Sequence, residues 1–320
     1  MLGAGAIGGF LGARLARSGA DVTLIARGPH LKAMQESGLR VIEADADWTV
    51  PVKVTDDFAA MTESDVVVVT LKAHTLPPVA ERMAANLGEH TAVVSAQNGI
   101  PWWYFQRHGG ELEGIHLETV DPGGIIARAI DPNRVVGCVV YPSTSVVSPG
   151  VVRHEEGERF SLGELDGTPS PRCLELSGLL AGAGLKAPVQ PRIRSELWLK
   201  LLGNAVFNPL SALTRASLGD MAQSALVAKV VRAGMEEVEA VARRVGVEIQ
   251  VSIDQRIKGA ARVGDHKTSM LQDLEAGRPL EIDALTGSVV ELGDRLGIPV
   301  PHLRTLYSSV KLLEKTTSVG

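Results

Sequence analysis

The chain has 320 residues, with 32 Lys and Arg against 37 Asp and Glu, a net charge of −5, and aromatics at only 4%. That length can build two domains with separate cores, and the acidic balance without a Lys/Arg cluster argues against a nucleic-acid surface. Two cysteines, Cys138 and Cys173, make neither a disulfide framework nor a metal site, and the lack of a signal peptide or a long apolar run predicts a cytoplasmic protein with no membrane partner.

The first motif is Gly3-Ala4-Gly5-Ala6-Ile7-Gly8-Gly9, which fits G-x-G-x-x-G and runs into a helical pattern through Phe10, Leu11, Ala13 and Leu15. A strand-like Val22-Thr23-Leu24-Ile25 follows, within one β-α-β length. The first two glycines allow a tight turn and close approach of backbone to a pyrophosphate. The third lets helix pack on strand, and the helix N-terminus offers N–H donors. Gly3, Ala4, Gly5, Ala6, Ile7 and Gly8 are therefore cofactor-binding candidates. Only Met1 and Leu2 precede the turn, whereas a central strand needs about five residues. The expectation is either a start upstream of this numbering or a stub of a first strand.

At the end of the second strand, an acidic residue would hold a ribose 2′-hydroxyl and an Arg a 2′-phosphate. Here Arg27 is followed by Gly28-Pro29-His30 with no carboxylate, so NADP(H) is expected over NAD(H). The plainer alternative is a solvated Arg at a strand end. Further on, Ser64-Asp65-Val66-Val67-Val68-Val69-Thr70-Leu71-Lys72 reads as a buried parallel strand by its continuous β-branched run, and Thr91-Ala92-Val93-Val94-Ser95-Ala96-Gln97-Asn98-Gly99 as the next. Both run into polar residues at the carboxyl edge, where open α/β sheets bind ligands. Lys72 and Asn98 are thus cofactor or substrate candidates, although a snorkelling Lys and a turn-forming Asn-Gly would look the same.

An aromatic cluster, Trp102-Trp103-Tyr104-Phe105, comes next and suits either a lid over a substrate pocket or packing at the sheet edge. From about 134 to 165 alternating strands, including Val135–Tyr141 and Gly150–His154, read as antiparallel additions to the sheet. A helix over about 171–183 and a strand-like Leu185–Val189 follow. Pro188 and Pro191 bracket the expected domain boundary, and the remainder reads as helix after helix. The predicted fold is α/β: an N-terminal Rossmann-type doubly wound sheet over residues 1–190, then an all-helical domain over residues 191–320.

The helix Trp198–Leu210 carries one cation and two carboxamides on an otherwise apolar sequence. Lys200, Asn204 and Asn208 are spaced by four, so they drift only about 80° around the axis and share a face. Burying them is costly unless something polar docks there; a solvated stripe would usually carry more charges. The last informative stretch runs from His266 to Asp283 and contains Ser269 and Glu281, whose spatial relation spacing does not reveal. Glu281-Ile282-Asp283 also suits the acidic first turn of a helix over Ala284–Leu296. Histidines 74, 108, 116, 266 and 302 have no metal-ligand spacing, and no metal is expected.

Together, Gly-Ala-Gly-Ala-Ile-Gly-Gly, Lys72, Gln97-Asn98-Gly99, the Trp-x-Lys-Leu-x-x-Asn-x-x-x-Asn-Pro helix and Thr-Ser-Met-x-Gln-Asp…Arg-x-x-Glu-Ile-Asp resemble the ketopantoate reductase (2-dehydropantoate 2-reductase) family. The resemblance runs nearly end to end. It implies NADPH-dependent reduction of a 2-oxo acid in a cleft between a Rossmann domain and a helical domain. It further implies Lys200 as the catalytic lysine, Glu281 as its acidic partner, Asn204, Asn208 and Ser269 as substrate contacts, and Lys72 and Asn98 near the nicotinamide end. The chemistry agrees: hydride arriving at a ketone leaves charge on oxygen, which needs a proton and electrostatic stabilisation. An ammonium supplies both, and the carboxamides bind without adding charge. Ketopantoate to (R)-pantoate is the leading expectation. The alternatives are another branched or aromatic 2-oxo acid on the same scaffold, a non-catalytic NADP-sensing protein, and the related 3-hydroxyacid or polyol-phosphate dehydrogenases. Two positions depart from the family pattern: Leu218 precedes Gly219 where some members carry a polar substrate contact, and Ala73-His74-Thr75 after Lys72 lacks the usual Gln or acid. A homodimer is compatible with such a helical domain.

Overall fold

The computed structural model describes residues 1–317 and divides into two compact units. The first comprises Met1–Gln97, Gln106–Gly109 and Ile125–Ile193, and the second Asn98–Phe105, Gly110–Gly124 and the chain from Arg194 onward.

Ten strands belong to the first unit: β1 (Thr23–Ile25), β2 (Leu39–Ile42), β3 (Asp47–Val50), β4 (Lys53–Thr55), β5 (Val66–Val69), β6 (Ala92–Ser95), β7 (Val135–Val140), β8 (Ser143–Ser148), β9 (Val151–Glu156) and β10 (Phe160–Glu164). Its helices are α1 (Ala6–Arg17), α2 (Gly28–Ser37), α3 (Ala80–Ala85), α4 (Ile125–Ala129) and α5 (Pro171–Gly182). In the main sheet β4 pairs with β1, and β5, β6 and β7 pair in turn, all parallel; β10 closes the far edge antiparallel to β7. Leu2 joins the two halves. It bridges Ile25 and Val69 in parallel, donates to the Val68 carbonyl at 2.8 Å and accepts from Thr70 N–H at 3.0 Å. Leu2 thus holds the place of the first strand, and around it the spatial order third-second-first-fourth-fifth-sixth is that of a Rossmann sheet.

The region after residue 134 departs from expectation. β7 is a sixth parallel strand, because all six of its residues are buried and none alternates with a polar neighbour. β9 does not join the main sheet; it pairs parallel to β2 and antiparallel to β8 in a second sheet of order β3-β2-β9-β8, against which α1 packs. Only β10 is an antiparallel addition to the main sheet. Residues 185–189 touch its edge through isolated bridges, Lys186 to Arg159 and Val189 to Leu162.

The second unit is helical: α6 (Ile193–Thr214), α7 (Leu218–Gln223), α8 (Ala225–Arg244), α9 (Ile253–Val263), α10 (Ser269–Glu275), a π-helical turn (Asp283–Gly287) leading into α11 (Ser288–Leu296), and α12 (Pro301–Thr317). Starts are set by capping side chains: Ser217 and Ser252 close capping boxes with Asp220 and Gln255, and Thr268 caps α10. Residues 102–105 fall in this unit. They are buried, and beside them Trp198 Nε1 donates to the Tyr104 hydroxyl at 2.7 Å. Burial pushes the Tyr104 phenol far above its usual range, so it stays a neutral hydroxyl. Among the described residues no helix is long and apolar enough to cross a membrane.

Candidate functional site

In the first unit a cleft of about 660 Å³ is lined by Gly3, Ala4, Gly5, Arg27, His30 and Arg82 among others. The glycine turn is shaped by close approach. Gly3 has φ +102°, in the left-handed region, and its carbonyl accepts from the Thr70 hydroxyl at 2.5 Å. A Cβ on Gly8 would collide with that same carbonyl and with the Thr70 hydroxyl, whereas a Cβ on Gly5 would meet nothing within 4 Å. Gly8 is therefore required by packing, and Gly5 leaves an open approach to the start of α1. That helix has no side-chain cap, so its first N–H groups are offered to a ligand rather than to the protein. This arrangement fits a dinucleotide pyrophosphate.

Arg27 stands exposed at the end of β1. His30 ties the turn down: its Nδ1 accepts from Gly150 N–H at 2.9 Å, which makes Nε2 the protonated nitrogen facing the Ala4 carbonyl at 2.8 Å. Across the cleft the Arg82 guanidinium lies 4.3 Å from the Phe58 ring centroid, a flat cationic platform. Asp56 and Asp57 also line the cleft; Asp57 is occupied in accepting from Ala59 N–H at 3.0 Å. Lys72 lies just past β5 at the start of a 3-10 turn, and its neighbours Leu71 and Thr75 line the cleft. His30, Phe58 and Arg82 carried no sequence signal, since each acts through residues distant in the chain.

The second unit holds a separate constellation. Lys200 on α6 donates from Nζ to Asn98 Oδ1 at 2.6 Å, and Asn98 Nδ2 donates to Glu281 Oε2 at 3.4 Å. Asn98, expected at a strand end, belongs to this unit and bridges the cation and the carboxylate. Glu281 and Asp283 part company: Asp283 accepts from Tyr307 at 2.7 Å and Lys311 at 2.9 Å, leaving Glu281 to face Asn98. Two turns along α6, buried Asn208 reaches the Ser269 hydroxyl at 3.5 Å. Half-buried Asn204 sits between them on the same helix. Gly203 lets the Arg256 guanidinium close on this helix; a Cβ there would lie 2.6 Å from it. The expected set thus separates into Gly3–Gly8, Arg27 and Lys72 in one unit, and Asn98, Lys200, Asn204, Asn208, Ser269 and Glu281 in the other. Chemically, the second group offers a held ammonium, a nearby carboxylate and neutral amides, which suits protonation of a developing alkoxide. No group of three His, Cys, Asp or Glu poised for a metal occurs among the described residues.

Comparison with known proteins agrees with both halves. The profile described as "Ketopantoate reductase PanE/ApbA" matches residues 1–167, and "Ketopantoate reductase PanE/ApbA C terminal" matches residues 192–314. A 2-dehydropantoate 2-reductase of Mesorhizobium japonicum is 48% identical over 98% of this chain and 96% of its own. A solved protein from Ralstonia solanacearum, described as a ketopantoate reductase, superposes with a TM-score of 0.93 at 45% identity, covering 99% of this chain and 97% of its own. D-mandelate dehydrogenase, solved with NADH, shares the fold at 21% identity and a TM-score of 0.84, covering 99% of both chains. This chain belongs to the ketopantoate reductase PanE/ApbA family.

Proposed function

We propose that this chain reduces 2-dehydropantoate (ketopantoate) to (R)-pantoate with NADPH, residues 1–190 holding the cofactor, residues 191–320 acting on the substrate and Lys200 serving as proton donor. The observation that carries this reading is the chain of contacts from Lys200 Nζ to Asn98 Oδ1 at 2.6 Å and from Asn98 Nδ2 to Glu281 at 3.4 Å. A sensor that only binds a dinucleotide has no need of a lysine held beside a carboxylate.

The cofactor, when bound, supplies the hydride. The protein's own groups do the rest. The Lys200 ammonium transfers a proton from Nζ to the substrate's C2 oxygen as negative charge develops there, and it recovers a proton from solvent afterwards. Asn98 accepts a second Nζ hydrogen and so fixes the direction of the ammonium. Glu281, held by the Asn98 amide, balances the lysine's charge and can accept from a substrate hydroxyl. Asn204, Asn208 and Ser269 add neutral donors and acceptors along the same helix face, which suits a polar, hydroxyl-bearing acid. Gly3, Ala4, Gly5, Ala6, Ile7 and Gly8 would hold the pyrophosphate, and Lys72 and Asn98 are the residues assigned to the nicotinamide end. NADPH is preferred to NADH because Arg27 and Arg82 both line the cleft and Arg27 offers a 2′-phosphate a counter-charge.

The second reading, the same chemistry on a bulkier aromatic 2-oxo acid, draws on the shared fold of D-mandelate dehydrogenase. Against it, Trp103, Tyr104 and Phe105 are taken up in the core and offer no ring face to an aromatic substrate. Steady-state NADPH oxidation across ketopantoate and a panel of branched and aromatic 2-oxo acids separates the two. The proposal expects kcat/KM for ketopantoate at least about 10-fold above every other acid; an aromatic acid at the head of the panel would overturn it.

A further inference from the structure

We infer that Thr286, on the π-helical turn Asp283–Gly287, is a positioning residue that locks Lys200, Asn98 and Glu281 into one geometry through an orphaned backbone carbonyl. α6 contains Pro209, which has no N–H to return to the carbonyl of Ala205, four residues earlier. Ala205 is fully buried, so water does not replace the missing donor. The Thr286 hydroxyl, also fully buried, donates to that carbonyl at 2.9 Å. The hydrogen bond that Pro209 removes from inside α6 therefore becomes a tie between α6 and the π turn, next to Asn204 and little more than a turn from Lys200.

The same turn holds the other two groups. Within it Ser288 N–H bonds back to Asp283 in the wider π register, and the Ala284 carbonyl accepts from Ile100 N–H at 3.0 Å. That fixes the segment bearing Asn98. Gly99, at φ +81°, allows the approach, because a Cβ there would run into the Ala284 carbonyl. Leu285 N–H in turn bonds to the Glu281 carbonyl at 3.2 Å. One short irregular turn is thus bonded to all three segments that carry the proton-donating constellation. π turns interrupt an otherwise regular ladder and recur at functional sites.

The inference rests on the proposed reductase activity, so its test has one readout with substrate and one without. Thr286→Val keeps shape and removes the donor; Thr286→Ser keeps the donor. The expected result is a kcat for ketopantoate lowered about 10-fold or more in Thr286→Val with KM for NADPH unchanged, and restored to within about threefold in Thr286→Ser. Pro209→Ala returns an N–H to the Ala205 carbonyl, so Thr286→Val should cost far less in that background, a coupling measured as a double-mutant cycle. If Thr286→Val does not fold alone, Pro209→Ala is compared with Pro209→Ala/Thr286→Val. The lock predicts kcat values within about threefold of each other, whereas a general packing role predicts about tenfold or more between them. Without substrate, Thr286→Val should speed amide exchange at Ile100 and along 285–289, and Pro209→Ala should suppress that change. A wild-type kcat in Thr286→Val, or an equal loss in both backgrounds, would overturn the lock. The predicted exchange changes in a protein that turns over no 2-oxo acid would uphold the lock and contradict the reductase reading.

Discussion

Two side chains decide most of the chemistry proposed here. Lys200 would be one cation among 32 Lys and Arg were it not for Asn98, which holds its Nζ at 2.6 Å. A hydrogen bond to a charged group is worth about 1.5–3 kcal/mol, or roughly 10- to 100-fold in rate if it serves only the transition state. Replacing Asn98 by Ala should therefore lower kcat by that factor, as read from initial rates at saturating NADPH and ketopantoate. An unchanged kcat would mean that Lys200 is oriented by other contacts. Arg27 carries the cofactor choice. Arg27→Glu should raise KM for NADPH at least about 10-fold and leave KM for NADH equal or lower, since a carboxylate repels a 2′-phosphate and accepts from a ribose hydroxyl. Equal effects on both cofactors would assign discrimination to Arg82 or to none of these residues.

At the scale of elements, Leu2 holds the place of a central strand, and in a polypeptide that begins at Met1 this has a measurable consequence. Met1 and Leu2 sit where a full central strand would run, and the Met1 ammonium donates to the Thr23 carbonyl at 2.8 Å. Burial pushes that ammonium down to about 6 from its ordinary 8.0. Between those values the unfolded chain binds more protons than the folded one, so stability rises with pH across that window and is lowest below it. A shift of this size corresponds to about 2–3 kcal/mol. Thermal melts of the 320-residue chain from pH 5.5 to 8.5 should show this rise, and N-terminal acetylation should remove it. An identical pH profile for the acetylated chain would show that the ammonium stays solvated.

Elements also mark where sequence reasoning reached its limit. The glycine turn, α1 and the central strands are written in local residue types and hydrophobic periodicity, and both carry through to the structure. β7 and β9 were misplaced because periodicity reports whether a strand is buried, not which neighbour it pairs with or in which direction. β7 is apolar without alternation over Val135–Val140, and all six of its residues are buried. The π turn was unreadable for a related reason: Asp283–Leu296 has helical periodicity throughout, and a single residue of widened register leaves that pattern almost intact.

For the whole molecule, the candidate groups divide between the two units, and this division explains what was legible in the site. The Lys200, Asn204, Asn208 stripe comes from one helix and is computable from its spacing. Its union with Asn98, 102 residues away in sequence, and with Glu281 is tertiary. Only the likeness to a known family anticipated that these residues act together, and that likeness did not foresee Asn98 as the bridge or Thr286 as a tie. His30, Phe58 and Arg82 likewise gain meaning only from the cleft they share.

The central claim is tested most directly by following NADPH oxidation on ketopantoate with the wild-type chain beside Lys200→Ala, both checked for folding by circular dichroism. Removing a positioned proton donor typically costs about 10²–10⁴ in rate. The account predicts robust turnover by the wild type and a kcat loss in that range in the variant, with NADPH binding preserved. Wild-type binding of NADPH without turnover, or a Lys200→Ala variant as fast as wild type, would contradict it.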